Sequence, residues 1–217
     1  MIVVIQCAAR KQPDAGSFVG LDGRKVSFVA DPDGAPLDNT IVYARPDDAS
    51  ERGATWRDVL HEYNRQRGNP RGLLPAWQLY DNPVYGRLVH KLGVKNVYIL
   101  SAGWGLISGC FLTPHYDITF SQCADAYKRR RKSDGYRDFQ MMPEDTREPI
   151  VFFGGKDYLP LFNALTSSIN ARKTVFCNSA QVPLMPGCAL RLFATRTRTN
   201  WHYECANAFL NGTVTAD

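Results

Sequence analysis

Three short segments of this chain carry side chains able to act on other molecules. Cys7 and Lys11 stand four residues apart just after an apolar run, Ile2-Val3-Val4-Ile5. Ser101-Ala102-Gly103-Trp104-Gly105 follows a second apolar run, with Pro114-His115-Tyr116-Asp117 close behind. Gly154-Gly155-Lys156-Asp157 closes a third run, Ile150 to Phe153. An ammonium beside a thiol favours the thiolate, and a desolvated lysine can itself be a nucleophile or a phosphate ligand. Cys7 reads equally as a small core residue at a strand end. A histidine next to an aspartate can trade protons or activate water, or Asp117 can simply cap the following turn. Trp104 and Tyr116 are candidates for stacking on a base, and Trp104 can instead pack over the strand edge.

The elements around these segments alternate. Residues 2–6, 97–100, 150–153 and 174–177 read as buried strands. Residues 55–67 carry a helical stripe of Trp56, Leu60 and Tyr63 with Thr55 as N-cap. Pro83 opens a second helix that Gly93 stops. Further helices are expected over 159–169 and from about Asn200 to Leu210, and a helix with a mobile loop over 119–147. Lys25 to Ala30 and Thr40 to Ala44 are short strands, read as a hairpin or a local sheet edge, inside an irregular insert at 13–60. The expectation is one α/β domain over residues 1–217, with a central, mostly parallel sheet flanked by helices. Side by side in such a sheet, the three site-bearing strands end along one edge, where open α/β sheets bind ligands.

Composition narrows the classes. At 44% apolar and 22% charged residues, the chain has the proportions of a water-soluble protein. No apolar run approaches the roughly 20 residues that span a bilayer, and residues 1–9 lack the basic start of a signal peptide, so a cytoplasmic location without membrane contact is expected. The six cysteines are scattered without zinc-type spacing, so no metal is expected. Neither GxGxxG, GxxxxGK[ST] nor GxSxG occurs in the required context, so no nucleotide cofactor and no α/β-hydrolase elbow is expected. The net charge is +5, and Lys128-Arg129-Arg130-Arg131-Lys132 is an unbroken basic run. Arg191, Arg196 and Arg198, followed by Trp201, His202 and Tyr203, form a second basic group. Together with Lys156, these clusters point to a nucleic-acid partner.

Several segments in order resemble the YaaA-type peroxide-stress proteins. Cys7-Ala8-Ala9-Arg10-Lys11 looks like that family's first strand and loop, and Ala76 to Tyr80 with Val84-Tyr85 looks like its Ala-x-x-Leu-Tyr segment. Ser101 to Leu106 resembles its Ser-Ala-x-Tyr-Gly-Leu motif, Pro114 to Asp117 its Pro-Tyr-Asp, and Gly155 to Tyr158 its Gly-x-x-Tyr. His115 stands where the family often passes directly from Pro to Tyr, and no helix-hairpin-helix glycine signature is present. The resemblance implies DNA binding and protection of DNA from oxidative damage. It also implies kinship with the domain of archaeosine synthase, whose Cys-x3-Lys belongs to a site acting on a modified guanine in transfer RNA.

The expected function is therefore an enzyme acting on a nucleobase in DNA, or less readily RNA, by glycosylase-like removal or by modification, in a repair or phage-defence setting. Lys11, Asp117, His115, Cys7 and Ser101 are its candidate catalytic residues. A non-catalytic protective DNA binder and an enzyme of free nucleosides or nucleotides are the alternatives.

Overall fold

The computed structural model describes residues 1–131, 133–179, 181, 184–195 and 199–216. In chain order the elements are β1 (Ile2–Gln6), β2 (Lys25–Phe28), β3 (Ile41–Ala44), α1 (Trp56–Arg65), β4 (Leu74–Pro75), α2 (Ala76–Leu79), α3 (Pro83–Leu92) and β5 (Val97–Ser101). Then come β6 (Gly105–Ser108), β7 (Leu112–Thr113), β8 (Phe139–Gln140), β9 (Ile150–Phe153), α4 (Leu159–Thr166), β10 (Lys173–Cys177), β11 (Cys188–Leu192) and α5 (Trp201–Leu210). Seven strands make one sheet in the order β11-β10-β9-β1-β5-β6-β8. All its pairings are parallel except β5 with β6.

The central strands are apolar on both faces because helices cover both. Val3, Val4 and Ile5 of β1, Ile99 and Leu100 of β5, and all of β9 are buried. The helix boundaries follow local chemistry. Thr55 accepts the Asp58 amide and Asn82 the Val84 amide, each satisfying an orphan donor of the first turn. Gly93 ends α3 at φ 82°, a conformation that a side chain disfavours.

The order places a switch point at the middle of the sheet. From β1 the chain crosses to β5 on one side; from β9, the neighbour on the other side, it moves outward to β10 and β11. The loops after β1 and β9 thus part in opposite directions, leaving a crevice outside their carboxyl ends.

Two expectations are corrected. The described residues of 119–147 hold no α-helix: Ala126–Lys128 is one 3-10 turn, and the basic run continues as irregular chain through Arg131. Buried arginine and bridging lysine contacts hold this stretch, with no apolar stripe to form a helix face. The strands of the insert are parallel, with Val26 beside Val42 and Phe28 beside Ala44, so they are not a hairpin. The insert is also tied to the core: the Asp117 amide donates to Phe28 O at 2.7 Å and the His115 amide to Gly16 O at 3.0 Å.

Candidate active site

Cys7, the first residue beyond β1, lies at the switch point. Its amide donates to Leu100 O of β5 at 3.0 Å, and its Sγ is 3.2 Å from the Tyr158 hydroxyl, which follows β9. Gln6 Oε1 accepts the Gly155 amide at 2.6 Å, clamping the ends of β1 and β9 together. The Tyr85 hydroxyl from α3 donates to Gln6 O at 2.8 Å and reaches the Tyr203 hydroxyl of α5 at 3.4 Å.

A second set of hydroxyls meets this one. Ser101 Oγ accepts the amides of Gly103 at 3.2 Å and Trp104 at 3.0 Å, and donates to the Tyr116 hydroxyl at 2.8 Å. Tyr116 and Tyr80 hydroxyls are 2.9 Å apart. Ser101, Tyr80 and Tyr116 are buried. Burial, then the charge of Cys7, pushes the phenols of Tyr80, Tyr116 and Tyr158 well above the usual 10, so they stay protonated. The cluster is a set of neutral hydroxyls in a nearly dry environment, where each hydrogen bond is strengthened by its neighbours.

Lys11 stands over this network. Its chain pairs with Tyr80 as an isolated bridge, and the Gln12 amide donates to Leu79 O at 2.8 Å. Lys11 Nζ is 4.2 Å from the centre of the Tyr116 ring and donates to Ala9 O at 3.2 Å. Burial lowers its pKa below the ordinary 10.5; Cys7 and then Asp117 pull it back up, and Lys128 lowers it further. The residue as a whole is partly covered, while its amine sits among buried groups. A less basic amine is more often the free base, the nucleophilic form.

Asp117 and His115 lie within electrostatic reach of Lys11. Asp117 Oδ2 is 2.9 Å from Lys128 Nζ, which also meets Asp125 at 2.9 Å. The bonds to Asp125 and then Asp117 raise the pKa of Lys128, so it stays charged. His115 is half-buried; burial, then Lys11 and Lys25, lowers its pKa, and Asp117 opposes this. At neutral pH its imidazole is therefore uncharged and able to take a proton.

Trp104, proposed to stack on a base, is corrected. It is fully buried, stacked on Phe139 at 6.4 Å and 17° and edge-on to Phe28 at 5.1 Å. Two arginines hold its turn. Arg57 donates to Gly103 O and Trp104 O, both at 3.1 Å, and pairs with Asp47 at 2.6 Å. Arg130 donates to Ala102 O at 2.9 Å and forks onto Asp138 at 2.9 and 2.6 Å. At Gly105, φ is 89° and an added Cβ would lie 2.6 Å from Phe139 O, so this glycine is needed. Tyr116 is also no stacking surface: its ring is buried and its face takes Lys11.

The basic run is corrected in part. Arg130 is a buried internal tie, and Lys128 is neutralised by two carboxylates. Arg131 is exposed, Arg129 half-buried, and Lys156 exposed on the 3-10 turn after β9. Lys132, Arg196 and Arg198 lie outside the described residues. Among the described residues no three His, Cys, Asp or Glu side chains converge as metal ligands, and no helix is long and apolar enough to cross a membrane.

The tyrosines at 80, 85, 158 and 203 were not among the expected site residues, although Tyr80, Tyr85 and Tyr158 lie inside the motifs quoted above. Tyr203 and Arg130 were read only as members of the two basic groups, and Arg57 carried no local signal. No family model, curated protein or solved structure matches this chain.

Proposed function

We propose that the protein is an enzyme acting on a nucleobase within a nucleic acid, DNA in preference to RNA, with Lys11 as the attacking amine. One observation carries the reading: a lysine of depressed basicity, 4.2 Å over the Tyr116 ring at the switch point of the sheet, feels the charges of Cys7 and Asp117 and is felt in turn by His115. Structural lysines are rarely drawn onto a buried hydroxyl network, since burial disfavours their charge. Lys25, whose charge reaches His115, together with exposed Arg131 and Lys156, suits a phosphate-bearing substrate.

In base removal, the Lys11 lone pair forms a bond to C1′ of the sugar as the C1′–N bond to the base breaks. The base leaves with the electron pair of the broken C1′–N bond and takes a proton from water. The new ammonium passes a proton to neutral His115; the nitrogen lone pair then forms C=N as the C1′–O4′ bond breaks, O4′ takes that proton back from His115, and water hydrolyses the imine to the sugar aldehyde, freeing Lys11. The Asp117 carboxylate, 2.9 Å from Lys128 Nζ, offsets positive charge as it grows at the sugar. Tyr80 and Tyr116, as neutral phenols, hold the floor beneath the amine without competing for its proton.

The test is a panel of modified and damaged oligonucleotides read by mass spectrometry, with borohydride added to trap an imine. A covalent adduct with wild-type protein, and neither adduct nor freed base with Lys11→Ala, is expected. Base release that survives Lys11→Ala removes the amine role, and an unchanged panel removes the nucleobase reading.

A second reading, an enzyme of free nucleosides or nucleotides, is favoured by the internal pairing of Lys128 and Arg130. It leaves fewer cations for a polymer. Under it, the combined Arg129→Ala, Arg131→Ala and Lys156→Ala variant keeps full turnover on mononucleosides, whereas the polymer reading expects weaker, salt-sensitive binding to oligonucleotides.

A further inference from the structure

With Trp104 sealed in the core and the Tyr116 face taken by Lys11, an aromatic surface for a base has to come from elsewhere. Two tyrosines outside the expected set stand beside Asp117. Tyr43 lies on β3, paired with Ser27 of β2. Tyr127 lies on the 3-10 turn before Lys128, and its carbonyl accepts the amides of Ala30 at 2.9 Å and Asp31 at 2.8 Å. Their rings are 6.2 Å apart and 77° to each other, and both residues are half-exposed. Lys128 Nζ is 5.3 Å from the centre of the Tyr127 ring and 2.9 Å from Asp117. Burial, then Tyr127 and Asp38, raises the pKa of Tyr43; Lys128 opposes and Asp117 adds to this, so both charges reach its hydroxyl.

Two rings at nearly right angles make a corner, a wall and a floor for a planar group that meets one ring by its face and the other by its edge. The insert at 13–60, which also lends Asp47 and Arg57 to the Trp104 turn, supplies one ring and anchors the other.

We infer that Tyr43 and Tyr127 form the aromatic corner that receives the base, with Lys128 and Asp117 at its rim and Lys11 beyond them. The inference rests on the proposed function and names what its substrate must be: a planar heteroaromatic ring joined to a sugar that Lys11 can reach. Both rings are half-exposed, unlike those of Tyr80 and Tyr116, and the Tyr127 hydroxyl bonds Lys128 at the rim. Tyr127 holds the insert through its backbone carbonyl, so truncating its side chain leaves those bonds in place.

The probe is a single-stranded oligonucleotide carrying one 2-aminopurine, whose fluorescence is quenched on stacking, beside the same strand with an abasic position. Wild-type protein and Lys11→Ala should both quench the base. Tyr43→Ala and Tyr127→Ala should each weaken binding by about tenfold, Tyr43→Phe and Tyr127→Phe should retain it, and the abasic strand should bind wild type and alanine variants alike. Circular dichroism of each variant checks that it is folded. Should the alanine variants quench as wild type does, or lose the abasic strand equally, the corner is overturned while base release in the panel above still stands or falls by itself. Binding of free 2-aminopurine deoxyriboside alone, with the same tyrosine dependence, keeps the corner and overturns the polymer. No binding of either probe by wild type overturns both.

Discussion

The loop after β1 and the turn after β5 leave neighbouring strands at the same edge of the sheet, yet one is open to chemistry and the other is closed. The turn, Ala102 to Gly105, has the more suggestive composition, a tryptophan between glycines. It is also the better sealed: its three carbonyls, from Ala102, Gly103 and Trp104, accept from two buried arginines, each charge-balanced by an aspartate. The loop, Cys7 to Lys11, is plain in sequence but holds an amine whose basicity its surroundings have shifted. A glycine-flanked aromatic reports close backbone approach, and that approach can come from the protein's own side chains as readily as from a ligand.

The largest effect should come from breaking the closed turn. Arg130→Ala leaves Asp138 buried without its partner and the Ala102 carbonyl without its donor. A loss of about 3–5 kcal/mol is expected, read as a lowered urea midpoint. Lys11→Ala should cost far less or stabilise, because it removes a charge that burial disfavours. If Arg130→Ala instead weakens nucleic-acid binding with no change in stability, the arginine is a phosphate ligand after all and the contrast fails.

The wall behind the open loop has its own weak point. His202, beside Tyr203 with rings 3.9 Å apart, is buried, and burial pushes its pKa to about 4 from 6.5. The unfolded chain therefore takes up this proton at higher pH than the folded one. The stability tied to neutral His202 is present above pH 6.5 and lost as pH falls toward 4, by up to about 3 kcal/mol. Urea titrations at pH 7 and 4.5 should show a smaller acid loss for His202→Phe than for wild type. An equal loss in both would place the histidine in water.

The smallest effect sharpens the open side alone. Reductive methylation with carbon-13 and NMR titration should find Lys11 below the ordinary 10.5. Asp117→Asn removes a charge that raises this value and should lower it further, while Lys128→Met removes one that lowers it and should raise it. Shifts of the same sign in both variants would mean that the field at Lys11 is set by something else.

Much of the frame was legible. The strands expected at 2–6, 97–100 and 150–153 and the helix capped by Thr55 follow from apolar runs and from a hydroxyl placed to catch a free amide, interactions between near neighbours in the chain. β6, β8 and β11 lacked that legibility. β8 has only two residues, and β11 is an exposed edge strand, so neither carries a burial pattern. In the site, Cys7, Lys11, Ser101, His115 and Asp117 were singled out because reactive residues at strand ends are a local feature. The hydroxyl network was not, because Tyr80, Tyr158 and Tyr203 are ordinary core aromatics until three separate segments bring their oxygens together.

From its sequence by itself, then, this chain is an alternating α/β protein whose reactive residues gather where strands end, because apolar period and capping act over a few residues. Only the tertiary structure decided which of those residues face outward. Whether Trp104 is a platform or a plug depends on Arg57, Asp47, Phe28 and Phe139, and whether Lys128 grips phosphate or Asp117 depends on a turn folding back eleven residues. Charges and rings far apart in the chain settle such questions by proximity, which no local pattern encodes.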